Sequence, residues 1–345
     1  MRRCLGRTSN LHRCQREGDW RFFCHDHKWQ PLIWLCTFIF TVLGGTASIY
    51  SVLVPSPRPI LKPIPGLLGE QMQKVTLTGF EKELLVGAAE HIKEAATFFK
   101  GAEQDFVAKR YRDASRGYQK SIDTLKTIAA YINLGATLFL VSDFTKAAEA
   151  YISGLQIARK RGDHLHEAVS LDGLGIIQGS QGKLKDALDS HQTALELYKQ
   201  MGDLQGQAGA FNNIGIVYDN QSKPKEALDS FQAALELFKQ IGEPEGQAAA
   251  FTGIGATYAI QGKLKEALTS YQTSLKLYKQ TGDPNGQATA FAGIGTVYVR
   301  QGKLEDALTY YQTALELYKQ MGNLQGQAGA FNNIGSVYPY SDIYI

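Results

Sequence analysis

The chain has 345 residues, 44% of them hydrophobic and 20% charged, with a formal net charge of +3, a composition that excludes wholesale disorder. Residues 1–30 carry seven Lys/Arg against three Asp/Glu, which leaves 29 basic and 30 acidic side chains in the remainder. A remainder so nearly neutral argues against a nucleic-acid or anionic-membrane surface over most of the chain, because phosphate binding needs a basic face.

The first segment, residues 1–30, is basic and rich in Cys and His. All four cysteines, Cys4, Cys14, Cys24 and Cys36, fall within the first 36 residues, so no disulfide framework can staple the rest. Cys4, Cys14, Cys24 and His27 form a Cys3His set whose soft thiolates and imidazole suit a tetrahedral structural zinc. His25 is an alternative to His27. The segment resembles short zinc-binding modules in which a cysteine follows an aromatic and shortly precedes a histidine, as Phe23, Cys24 and His27 do. The competing reading is a basic tail with free thiols in a reducing compartment.

Residues 31–54 (PLIWLCTFIFTVLGGTASIYSVLV) contain no charge. At about 1.5 Å per residue such a helix reaches roughly 36 Å, enough to cross a hydrocarbon core of about 30 Å, so one transmembrane helix is expected. Trp29, Trp34 and Tyr50 fit interfacial anchors. Arg2, Arg3, Arg7, Arg13, Arg16, Arg21 and Lys28 precede the span, against Arg58, Lys62 and Lys74 after it, which predicts a cytoplasmic N-terminus and an extracytoplasmic remainder. Residues 55–78 form a linker in which Pro55, Pro57, Pro59, Pro63 and Pro65 favour an extended, semi-rigid spacer.

From about residue 79 to 338 the chain repeats itself. The stretch starting at Gln181 (QGKLKDAL) recurs from Gln221 (QSKPKEAL), Gln261 (QGKLKEAL) and Gln301 (QGKLEDAL), a period of 40 residues. Within one unit, Phe211, Ile214, Gly215 and Tyr218 share one helix face, and Ala227, Leu228, Phe231, Ala234 and Leu235 share another. Each unit therefore reads as two amphipathic helices. A Gln-x-Lys turn lies between them, and a Gly/Pro-rich connection such as 242–246 or 282–286 separates one unit from the next. One pair cannot bury its stripe alone, so successive pairs must stack into an all-α solenoid.

The pattern Phe211, Ile214, Gly215, Tyr218, Ala227, Phe231, Ala234 resembles the tetratricopeptide signature. So do Phe251, Ile254, Gly255, Tyr258, Ala267, Tyr271, Ser274 and Phe291, Ile294, Gly295, Tyr298, Ala307, Tyr311, Ala314. Earlier copies keep Leu174, Gly175, Ala187 and Ala194, and Tyr131, Leu134, Gly135, Ala147 and Tyr151; a degenerate first copy keeps Ala102, Ala114 and Tyr118. The resemblance implies a right-handed α-solenoid that binds a protein or peptide in its concave surface. The 40-residue units are similar to kinesin-light-chain repeats and to long bacterial, notably cyanobacterial, arrays. Such arrays can be joined to caspase-like domains, so a regulatory fragment of a larger enzyme is a rival reading. A second rival is a metal or nucleic-acid sensor driven by the Cys3His tip.

Residues 201–218 and 321–338 match at 16 of 18 positions, after which residues 339–345 form an atypical tail. The helix carrying Phe331 and Ile334 thus lacks its pair partner in the sequence, which predicts a truncated product, self-association through that end, or an exposed binding face.

No catalytic constellation stands out, and a non-enzymatic scaffold is expected. Asn133, Asn213 and Asn333 precede the Leu/Ile-Gly pair, where related long-repeat proteins use amides to hold a peptide backbone; Gly173, Gly253 and Gly293 hold that place in other units. The alternative is that these asparagines bond neighbouring helices. Lys183, Lys223, Lys263 and Lys303 read as a solvated turn. His164 and His166 show no obvious carboxylate companion, and His191 replaces the aromatic of its unit. The stretch at Gly253 (GIGATY) lies inside a helix and makes no phosphate loop.

Overall fold

The computed structural model describes residues 89–337, with side chains from residue 91 onward. The Cys/His set, the uncharged stretch 31–54, the proline linker and the tail 339–345 lie outside the described residues. Those described form thirteen α-helices and no strand. They are α1 (Ala89–Val107), α2 (Tyr111–Thr124), α3 (Ile128–Leu140), α4 (Phe144–Arg161), α5 (His164–Ser180), α6 (Leu184–Met201), α7 (Leu204–Asn220), α8 (Pro224–Ile241), α9 (Pro244–Ile260), α10 (Leu264–Thr281), α11 (Pro284–Arg300), α12 (Leu304–Gln320) and α13 (Leu324–Val337).

Odd-numbered helices open each unit and even-numbered helices close it. Three-residue turns inside the later units match the Gln-x-Lys expectation, but the connections between units are shorter than the Gly/Pro pattern suggested. Pro244 and Pro284 begin α9 and α11, where a missing N–H costs nothing, and Gly246 and Gly286 lie within those helices. Only Gly242-Glu243 and Gly282-Asp283 connect, with each glycine in the left-handed region that ends the preceding helix.

The reason for the interior glycines is close packing against rings. A Cβ on Gly215 would stand 2.7 Å from Phe231, and one on Gly253, in the next unit, would collide with the same ring. Tyr271 is seated likewise between Gly255 and Gly293, and Tyr151 between Gly135 and Gly173. A second ring at the end of each closing helix, Tyr198, Phe238, Tyr278 or Tyr318, rests on Gly206, Gly246, Gly286 or Gly326 of the following helix. Every closing helix is thus pinned by one ring between two opening helices and by another on the next unit. Around these rings Ala187, Ala194, Ala227, Ala234, Ala267, Ala307 and Ala314 are fully buried, because only a methyl group fits between such closely spaced helices.

The stack bends in one direction. Successive opening helices touch, α3 with α5, α5 with α7, α7 with α9, α9 with α11 and α11 with α13, and no two closing helices approach as closely. The row with the nearer members lies on the inside of the bend. The curvature carries far enough that Lys109 Nζ, in the α1–α2 turn, comes within 3.5 Å of the carbonyl of Met321 beyond α12.

Candidate functional site: the inner helix row

The inner row is short of charge. From α7 to α13 the opening helices carry only Asp219, Glu245 and Arg300, whereas α8 alone carries Lys225, Glu226, Asp229, Glu236 and Lys239. The exposed inner side of the row instead presents Ile216 and Ile260, with the small half-buried residues Ala249, Ala256, Thr289, Ala292 and Thr296 around them. Charge is confined to the outer row, where Lys199–Glu196, Lys239–Glu236 and Lys319–Glu316 pair one turn apart.

Asp219 and Arg300 tie the row together. Burial raises the Asp219 carboxyl above its ordinary range, partly offset by a hydrogen bond from the Thr257 hydroxyl of α9. Arg300 Nη1 donates to the carbonyl of Ala259 at 2.7 Å, so a cation of α11 is spent on the end of α9. Tyr311 Oη and Thr296 Oγ1 lie 3.1 Å apart and Ser274 and Thr252 hydroxyls 2.7 Å apart, each pair joining a closing helix to its own opening helix.

The asparagines are placed as follows. Asn133 is 3% exposed and its amide bonds the phenol of Tyr118 in the preceding unit. Asn213 is 9% exposed and Asn333 is half-buried. Gly173, Gly253 and Gly293, at the same place in other units, each lie against the ring of the preceding closing helix. This place on the opening helix therefore looks back toward its neighbour, and the three asparagines are separated by glycine-bearing helices rather than brought together.

Two buried histidine–carboxylate pairs escaped the sequence reading. His191 Nδ1 meets Asp172 Oδ1 at 2.8 Å, both buried, and Asp172 also takes the hydroxyl of buried Tyr198. His166, read as lacking a companion, meets Asp163 Oδ2 at 2.7 Å, with Asp163 also accepting the His166 backbone N–H at the helix start. The second was visible, since Asp163 precedes α5 at an N-cap spacing. The first joins residues 19 apart on two helices and needed the packing. One unit later the same two places hold Asn212 and Phe231; the phenyl ring has no hydrogen to give, and Asn212 Oδ1 is buried without a partner.

The lysines of the turns are not simply solvated. Lys223, Lys263 and Lys303 stand 5.5–5.8 Å over the rings of Tyr218, Tyr258 and Tyr298. Among the described residues no group of three His, Cys, Asp or Glu side chains could hold a metal ion, and no helix is long and apolar enough to cross a membrane.

A curved stack of helix pairs with a neutral, small-residue inner row defines a helical-repeat solenoid. The tetratricopeptide repeat profile matches residues 126–200, 206–280 and 246–320, and the chain belongs to the tetratricopeptide repeat family. No curated relative matches it. Similar solved structures include a Rap protein complexed with Competence and Sporulation Factor, 14% identical with a TM-score of 0.55 over 79% of this chain and 85% of that one. The apo form of RapI is 14% identical, TM-score 0.53, over 71% and 97%. A signal transduction ATPase with numerous domains and a tetratricopeptide repeat sensor, from Pyrococcus horikoshii, is 19% identical, TM-score 0.55, over 78% and 43%. At these identities the similarity is one of fold.

Proposed function

We propose that the chain is a scaffold that binds a protein or peptide segment on its inner helix row, and that the segment is uncharged, with apolar and hydroxyl side chains. The observation that carries this is the exclusion of charge from the inner side of α7–α13 while Ile216 and Ile260 remain exposed there. An apolar segment loses little by leaving water for such a surface, whereas a charged one would find no counter-ion and be desolvated at a cost. The similar Rap fold, solved with a bound factor, supports a binding role for this architecture. In this reading Asn213 and Asn333 offer amides near the row's floor, and Asn133 positions Tyr118 beneath it.

The uncharged stretch 31–54 adds a membrane anchor to the proposal, with the Cys/His tip on the cytoplasmic side; both rest on composition and spacing.

Selection of peptides from a random library against the full chain tests the specificity. Enrichment of neutral, apolar or hydroxyl-rich peptides whose binding drops at least tenfold in Ile260→Glu, with melting unchanged, is the expected result. Enrichment of strongly charged peptides, or binding indifferent to Ile216→Glu and Ile260→Glu, would overturn it.

A further inference from the structure

The helices α7 and α13 are near copies, differing over their shared length only where Ile216 is replaced by Ser336. Their burial is not alike. Asn212, Ile214, Gly215 and Ala208 are buried in α7, while Asn332, Gly335 and Ala328 are exposed in α13 and Ile334 is half-buried; Phe331 and Leu324 are 55% and 77% exposed. The side of α13 that meets α12 is engaged normally, with Gly326 under the ring of Tyr318 as Gly206 is under Tyr198. The other side is open. Gly215 of α7 seats the ring of Phe231, but the space beside Gly335 is empty to 4 Å.

The chain itself shows what fits this surface. On α7 the equivalent side is covered by α8, whose Ala227, Phe231 and Ala234 are buried and whose charges, Lys225, Glu226, Asp229, Glu236 and Lys239, lie off that stripe. Because α13 keeps the residues that α8 contacts on α7, it keeps the shape and chemistry that α8 recognises. We propose that the open side of α13 is an acceptor for an amphipathic helix of a partner protein, carrying an aromatic residue bracketed by two small ones at the spacing of Ala227, Phe231 and Ala234. The aromatic ring seats on Gly335, the small residues let the helix approach, and Phe331, Ile334 and Leu324 close over its apolar edge. This site is at the end of the stack, distinct from the inner row, so the two proposals stand or fall separately.

The test uses the full chain and a fluorescein-labelled peptide of residues 221–243, which carries α8. Fluorescence anisotropy should show saturable binding, weakened at least tenfold by Phe231→Ala in the peptide. Gly335→Leu in the protein, which fills the ring seat at an exposed helical position, should weaken it as much without lowering the melting temperature, and Ile260→Glu on the inner row should leave it unchanged. Absence of binding, or binding insensitive to Gly335→Leu, overturns the proposal. A concentration-dependent dimer that excludes the peptide would assign the surface to a second copy, and binding seen only after removal of residues 339–345 would assign it to the chain's own end; either result overturns it as well.

Discussion

Glu103 illustrates how a single side chain can set the pH behaviour of a neutral solenoid. It lies in α1 with 5% of its surface exposed, and burial pushes its carboxyl up to about 7, with Lys100 pulling only weakly the other way. A carboxyl raised on folding holds its proton more tightly in the folded state. Its ionisation therefore costs nothing below about pH 4.5 and progressively destabilises the fold as pH rises through 7, by at most about 3 kcal/mol. Glu103→Gln should raise the melting temperature at pH 8 and lose that advantage by pH 4.5; an advantage independent of pH would assign the effect to packing instead. The buried pair Asp172–His191 is the same lesson in reverse, since there each polar group answers the other.

At the scale of the helix, the two kinds of unit boundary are built differently. Opening helices start at a capping side chain: Asp163, Asp203, Glu243, Asp283 and Asn323 each accept a backbone N–H from the first turn. Closing helices start at Lys183, Lys223, Lys263 or Lys303 with no side-chain cap. What fixes these starts is the residue before the lysine, which turns through the left-handed region at Gly182, Gly262 and Gly302 but also at Ser222, whose φ is 58°. A Cβ is strained there and glycine is not. Ser222→Gly should stabilise the fold by about 1 kcal/mol in chemical denaturation, the relief of strain outweighing the added freedom of the unfolded chain. The helix pairs and their turns were legible from the 40-residue period because periodicity and turn chemistry are local. The exact connections were not, since Gly-Glu-Pro-Glu-Gly reads as a loop until the tertiary contact between Gly246 and Phe238 shows why a glycine is needed inside α9.

For the whole molecule, stability in a solenoid is a chain of neighbour contacts, and each interface rests on a few rings. Tyr271 is wedged between Gly255 of its own unit and Gly293 of the next, so it cannot yield to a methyl group on one side without striking the other. Gly293→Ala should cost about 1–3 kcal/mol and weaken the joint between α10 and α11. Hydrogen exchange in mild denaturant should then show α11–α13 opening before α3–α10, whereas uniform loss across the stack would mean that the joints are not separable. In the parent chain α13 should exchange fastest of the inner row, because one side of it is exposed.

The sequence by itself determined that the chain is a stack of helix pairs with a tetratricopeptide pattern, because apolar spacing, turn residues and a fixed period act over distances of a few residues. It also determined that the inner helices are poor in charge and that α13 copies α7. Only the tertiary structure decided which side of each helix is left open. Asn133 turns toward Tyr118, Asp172 finds His191, and Gly335 stands clear although Gly215, in the same local sequence, is covered. Burial is a property of what packs against a residue, and identical segments acquire different surfaces when their neighbours differ.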